Sequence, residues 1–274
     1  MAKSWRISFC QKNDFECAMN RTEKAIIQIE NLRKEFKNSH SDALVIFDSL
    51  DITLYDNQIT SIVGPSGCGK STLLNIIAEL DKSYKGTVKR NVKKMIGYIF
   101  QDDSLLPWKS VFENIVLGLK LKRHVSNKPI QYEKTLREYG LYEYRDFYPE
   151  MLSGGMKQKV ALAQMLINEP ELILLDEPFS SQDFFEKLRL ENLFYKIIKE
   201  NHLSAILVTH DIEEAIALSD RVVVLSQKPC RIIKDVYLDF RTDGGFMLPE
   251  KVRNMASASK YFSDIYQTLK PELK

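Results

Sequence analysis

At 274 residues, with 44% hydrophobic and 28% charged side chains, the chain has an ordinary globular composition and room for one large α/β domain, which excludes a disordered or fibrous polymer. A net charge of +2 gives no broad basic field, so nucleic acid is not expected as a partner. The longest apolar runs, such as 172–175 and 222–225, fall far short of the roughly 18 to 20 residues that a membrane-spanning helix needs.

Residues 1–25 show neither periodicity nor motif and read as an N-terminal extension. Lys12, Asp14 and Glu16 interrupt any apolar signal core, and Cys10, Cys17, Cys68 and Cys230 lack metal or disulfide spacing, so a reducing cytosol is the expected setting. Leu50, Ile52 and Leu54 then alternate with Asp51, Thr53 and Tyr55, the period of a half-buried strand, and Asp56-Asn57-Gln58 supplies a turn. A more deeply buried strand is predicted over 59–63. After a glycine loop, Leu73, Leu74, Ile76 and Ile77 predict a helix over 71–80, and 95–100 reads as a strand. Residues 110–168 change character: helices are predicted over 111–122, 129–139 and 154–168, with Gly140 stopping the middle one. Strands at 172–175, 205–208 and 222–225 alternate with helices at 183–200 and 212–218. That order predicts a largely parallel sheet with a helical insertion at about 102–168. Residues 230–238 read as one more strand, and those beyond 245 as a helical tail.

The glycine loop is GPSGCGKST: Gly64, Pro65, Ser66, Gly67, Cys68, Gly69, Lys70, Ser71 and Thr72. It fits G-x-x-x-x-G-K-[ST] between a strand and a helix, where backbone N–H groups and the helix N-terminus cradle phosphates. Lys70 is expected on the β- and γ-phosphates, and the Ser71 hydroxyl on Mg²⁺. The strand LILLDE ends in Asp176, placed to hold Mg²⁺, and Glu177, free to deprotonate an attacking water. Strand-end acids are often merely solvated; beside a phosphate loop the chemical reading is the stronger. Ser153, Gly154 and Gly155 open the helix at 154–168. A cap explains the serine, but two glycines cost roughly 1 kcal/mol each against alanine, which a close approach to phosphate justifies. Gln101 and His210 each follow a strand and would be incidental alone, yet both fall at the sheet edge where ligands of open α/β folds collect.

In order and spacing these residues resemble the ATP-binding subunit of an ABC transporter over about residues 26–240. The resemblance implies an α/β fold: a RecA-like phosphate-loop nucleotide-binding domain (26–245) with an antiparallel β subdomain and an inserted helical subdomain, followed by a tail at 246–274. It implies ATP and Mg²⁺ as ligands, Gln101 facing Mg²⁺ and the attacking water, His210 as the switch histidine, a D-loop near Asp183, and Phe36 stacking on adenine. It also implies a head-to-tail dimer with a second ATP-binding subunit, in which Ser153, Gly154 and Gly155 of one copy cover the γ-phosphate held by the other. Further implied partners are membrane permease subunits, through their coupling helices, and indirectly an extracytoplasmic solute-binding protein; the place of work is the cytoplasmic face of the membrane.

Several positions depart from the family pattern: Lys157, Lys159 and Gln164 stand where arginines are common, 180–183 reads Ser-Ser-Gln-Asp, and Glu79 replaces a frequent glycine without evident consequence. Within the family, FQDDSLLPW and the later LSQKPCRIIKDVYLDF most resemble the nitrate, sulfonate and taurine importer branch, which also takes bicarbonate. Leu105, Leu106, Pro107 and Trp108 would then help form the groove for a permease helix, against the alternative that Leu105 is simply core. The competing class is a soluble ABC ATPase of DNA repair or translation. It is disfavoured by a single phosphate loop and no heptad run.

Overall fold

In a computed structural model, which describes residues 24–38, 41–100, 105–121, 129–240 and 246–273, the chain begins with two long strands, β1 (Ala25–Asn38) and β2 (Ser41–Tyr55). They pair antiparallel, and β4 (Lys85–Arg90) joins the free side of β1, giving the order β2-β1-β4. The second sheet contains β3 (Ile59–Val63), β5 (Ile96–Ile99), β6 (Leu172–Asp176), β7 (Ser204–Thr209), β8 (Arg221–Leu225) and β9 (Ile232–Tyr237). Its order is β5-β6-β7-β3-β8-β9, parallel throughout except for β9 at the edge. β3, β6, β7 and β8 are buried at every position, which is why they read as unbroken apolar runs: both faces are covered.

Alternate side chains of β6 feed different cores. Leu172 and Leu174 pack with α1 (Lys70–Ile77) and the antiparallel sheet, whereas Ile173 and Leu175 pack with α5 (Gly154–Leu166) and α6 (Phe184–Glu200). A third core lies between β8, α7 (Ile212–Leu218) and the C-terminal α8 (Pro249–Arg253) and α9 (Ala256–Leu269). The helical insertion has its own small core, built on Leu105, Ile115, Leu136, Leu141 and Val160. Among the described residues no helix is long and apolar enough to cross a membrane.

The departures from expectation have local causes. β4 reads KGTVKR and is mostly exposed, so it carries no apolar signal. β1 breaks alternation at Asn31, whose φ of 52 accompanies a register shift between Ile29 and Leu32. The helix predicted over 111–122 is two, α2 (Val111–Ile115) and α3 (Leu117–Leu121). The second leans on the end of α5: a Cβ on Gly118 would lie 2.5 Å from Asn168 Nδ2. α1 ends at Ile77, and Glu79 follows it with φ 61, the left-handed conformation in which glycine is favoured after a helix. The glycine-to-glutamate departure therefore does have a consequence, a strained helix terminus.

One buried amide organises the start of the insertion. The fully buried Asn114 accepts from Leu106 N–H at 2.8 Å, while its Nδ2 donates to the carbonyls of Leu106, Lys109 and Ser110 at 3.0 to 3.1 Å. Ser110 and Glu113 close a capping box on the same turn. The knuckle is thus tied down while its tip stays out: Leu105 is buried and Trp108 is 69% exposed. Asn114→Ala strands buried backbone groups and is expected to lower unfolding stability by about 2 kcal/mol, with faster amide exchange at Leu106. Urea titration and hydrogen exchange measure both; an unchanged midpoint would show that the clamp carries no weight.

Candidate functional site

Parallel strands end together, so the loops after β3, β6 and β7 open into one crevice. β3 delivers the phosphate loop, β6 delivers Asp176 and Glu177, and β7 delivers His210. Gln101 lies outside the described residues.

Within the loop, the Lys70 ammonium is almost buried and donates to the carbonyls of Gly64 at 2.8 Å and Pro65 at 2.9 Å. The loop closes on its own lysine, while Ser66 and Gly67 face solvent. Gly69 must be glycine: its φ is +124, and a Cβ there would sit 2.5 Å from Ile46 Cγ2. Buried Cys68 hydrogen-bonds with Cys230; that bond holds the Cys68 thiol below its usual value, with smaller help from Lys70, and pushes Cys230 up. Both are free thiols.

The Ser71 hydroxyl donates to Asp176. Burial pushes the Asp176 carboxyl above its usual range, Glu177 adds to the effect, and Ser71 and Lys70 offset only part of it. A buried acid short of positive charge beside a hydroxyl suits a divalent cation completed by phosphate oxygens and water. Among the described residues no group of three or more acids, histidines and cysteines is placed to hold a metal by itself.

Glu177 has φ 47, an uncommon conformation for a side chain of this size and one that concentrates at functional sites. Its N–H bonds to Val208 O at 2.9 Å, fixing it to the neighbouring strand, and its Oε2 lies 3.0 Å from His210 Nδ1. The imidazole is otherwise exposed, its side chain 63% accessible.

Ser153 caps α5, its hydroxyl accepting from Met156 N–H at 3.3 Å, as expected. Gly155 has a reason inside the chain as well: a Cβ there would meet Glu186 Oε1 at 2.5 Å, and Lys159 holds that carboxylate at 3.3 Å. Gly154 faces solvent beside Gln182. Asp183 caps α6, accepting from the N–H groups of Phe185 and Glu186. Gln158 donates to the Pro178 carbonyl, joining α5 to the loop after Glu177. Phe36 is 46% exposed near the end of β1, with the Lys34 ammonium 4.7 Å from its ring centre. At that exposure Phe36 is not part of the chain's own core. Sequence reasoning missed Gln158, Glu186 and the charged group around Lys187, because their partners are brought together only by the packing of α5, α6 and α7.

A family model described as ABC transporter matches residues 47–180. An ABC transporter ATP-binding protein of Methanocaldococcus jannaschii is 40% identical over 225 residues, covering 79% of this chain and 83% of that one. The aliphatic sulfonates import ATP-binding protein SsuB 1 of Xanthomonas axonopodis pv. citri is 41% identical over 192 residues, covering 67% and 76% respectively. Among solved structures, a dimeric ATP-binding cassette in a post-hydrolysis state bound to ADP and Pi superimposes with a TM-score of 0.68 at 28% identity, over 78% of this chain and 100% of that one.

Proposed function

Since the chain belongs to the ATP-hydrolysing subunits of ABC transporters, we propose that it drives import of a small sulfonate-like anion, with the strand-end crevice as its hydrolytic site. The observation that carries the site is the Glu177–His210 contact at 3.0 Å, at the ends of β6 and β7, of which β7 pairs with β3, the strand that leads into the phosphate loop. Phe36 offers an exposed face for adenine, and the loop from Gly64 to Thr72 presents N–H groups to the phosphates. Lys70 exchanges its bonds to the loop carbonyls for the β- and γ-phosphates. Ser71, Asp176 and Gln101 would hold Mg²⁺, which when bound supplies charge neutralisation to the phosphates. Glu177 accepts the proton of the attacking water, and His210 orients that carboxylate.

Exposed Ser153 and Gly154 suit a head-to-tail dimer in which they cover the γ-phosphate of the second copy, and the dimeric cassette similar to this chain supports that arrangement. The import names of the relatives support a permease partner and a place at the cytoplasmic membrane face, and lend nothing to repair or translation. The sulfonate class rests on those names and on the LLPW and distal strand segments, since the permease and binding protein would select the solute.

Trp108 is the proposed anchor in the permease groove: a large aromatic held outside by a rigid, buried clamp. In a reconstituted transporter, Trp108→Ala is expected to cut solute uptake roughly tenfold while leaving the basal ATPase rate of the isolated subunit within about twofold. Equal losses in both would show that Trp108 serves the fold instead.

A further inference from the structure

Behind the hydrolytic crevice, five charged side chains meet where α6, α7 and α8 touch. Lys187 Nζ lies 2.7 Å from Asp211 Oδ2, 2.7 Å from Glu214 Oε2 and 3.9 Å from Glu191 Oε1. Arg253, the last residue of α8, brings Nη1 to 2.6 Å from Glu191 Oε2. Glu191 is fully buried and Glu214 nearly so, while Asp211 is half-buried, so three carboxylates share two cations and two of the three are cut off from water. Neither Glu191 oxygen has an aligned hydrogen-bond donor among the described residues, so nearby charge is its main compensation. Burial pushes the Glu191 carboxyl up, and Glu214 to about 7, whereas Asp211, although partly desolvated, is held below its usual range by Lys187 and by the N–H of Glu214.

The arrangement divides the labour between the two cations. Lys187 is committed to Asp211 and Glu214, and it can be, because Arg253 answers Glu191. Asp211 follows His210 directly and caps α7, accepting from Glu214 N–H at 3.1 Å, while its own N–H donates to Thr209 Oγ1 at 3.0 Å. Lys187 and Glu214 line the same crevice as Glu177 and His210. α8 is seated firmly enough to present Arg253: Val252 is buried, and Asn192 on α6 and Glu250 on α8 exchange contacts at 3.5 Å.

We infer that Arg253 is a positioning residue for ATP hydrolysis: by neutralising Glu191 it leaves Lys187 to fix Asp211 and the start of α7, so that His210 meets Glu177. The C-terminal helices are then a working part of the ATPase. Without Arg253, the buried Glu191 carboxylate draws Lys187 toward itself, and Asp211 and His210 lose their hold. The groups facing Glu191 are Lys187 from α6, Asp211 and Glu214 from α7, and Arg253 from α8, so its charge is the variable that the inference turns on.

This inference rests on the reading of Glu177 and His210 given above, and the experiment separates the two. ATP hydrolysis by the full chain is measured against pH for wild type, Arg253→Gln, Arg253→Lys, Glu191→Gln and the Glu191→Gln/Arg253→Gln pair. Arg253→Gln is expected to lower kcat roughly three- to tenfold at about pH 8.5 with KM for ATP unchanged. The deficit should shrink as the pH is lowered and Glu191, its carboxyl already pushed up by burial, takes up a proton and releases Lys187. Arg253→Lys should regain most of the rate. In the Glu191→Gln background, adding Arg253→Gln should change nothing, a test that stands even where Arg253→Gln alone fails to fold. A further loss in that background, or an Arg253→Gln deficit that is absent or independent of pH, overturns the inference. Glu177→Gln reports on the site itself: if that variant hydrolyses ATP normally, the underlying reading fails, whereas a dead Glu177→Gln beside a silent Arg253→Gln sinks this inference alone.

Discussion

Glu177→Gln is expected to retain ATP and lose hydrolysis by roughly a hundredfold or more, the range of a removed general base. The substitution keeps the size of the side chain, and the amide oxygen can still accept from His210 across the 3.0 Å contact. What it loses is the ability to take a proton. The backbone of Glu177 is over-determined, by its N–H bond to Val208, by Ser180 bonding back to its carbonyl at 3.0 Å, and by the left-handed φ. The variant should therefore fold and present the glutamine where the glutamate stood. In the proposed head-to-tail dimer, where turnover would separate the closed subunits, the ATP-bound variant should also accumulate as a dimer, visible as a shift in gel filtration that wild type shows only transiently. Phosphate release at the wild-type rate would remove Glu177 from its role as base.

The parts of this fold that were legible in the sequence are those whose signal is local. β3, β6, β7 and β8 are buried on both faces, so their composition alone announces them. Asp183, Asp211 and Ser153 cap the helices that follow them, and short polar residues before an apolar period are readable as caps. β4 was illegible because its lysines are exposed and its arginine turns in to the carbonyls of Ile76 and Ile77, leaving no apolar alternation, and β1 because Asn31 resets its alternation. The tie between Arg253 and Glu191 was illegible for a different reason. An arginine near a chain end and a glutamate on a helical face each look like ordinary solvated charges, and only the docking of α8 on α6 sets the half-buried arginine against the fully buried glutamate. Asn114 is the same case on a smaller scale: the sequence shows an amide directly after a capping box, and the fold turns it into the fastening of the Trp108 knuckle.

Lys70→Ala should fail one step earlier than Glu177→Gln. The Lys70 ammonium sits in a slot of the loop's own making, 6% exposed and bonded to Gly64 O and Pro65 O. A charged donor already stripped of water and held by two carbonyls is poised to exchange them for phosphate oxygens at little further desolvation cost. Removing it deletes charge-assisted bonds of about 1.5 to 3 kcal/mol each, so ATP affinity is expected to fall roughly a hundredfold or more. The fold should survive, because the surrounding core of Leu73, Leu74 and Phe47 does not depend on the ammonium. ATP linkage separates the outcomes: nucleotide should raise the melting temperature of wild type and of Glu177→Gln, and leave that of Lys70→Ala unmoved. If Lys70→Ala is stabilised by ATP as strongly as wild type, the loop does not hold the nucleotide through its lysine. If wild type and both variants respond alike, binding is carried elsewhere, and the water that Glu177 is placed to activate has no phosphate beside it to attack.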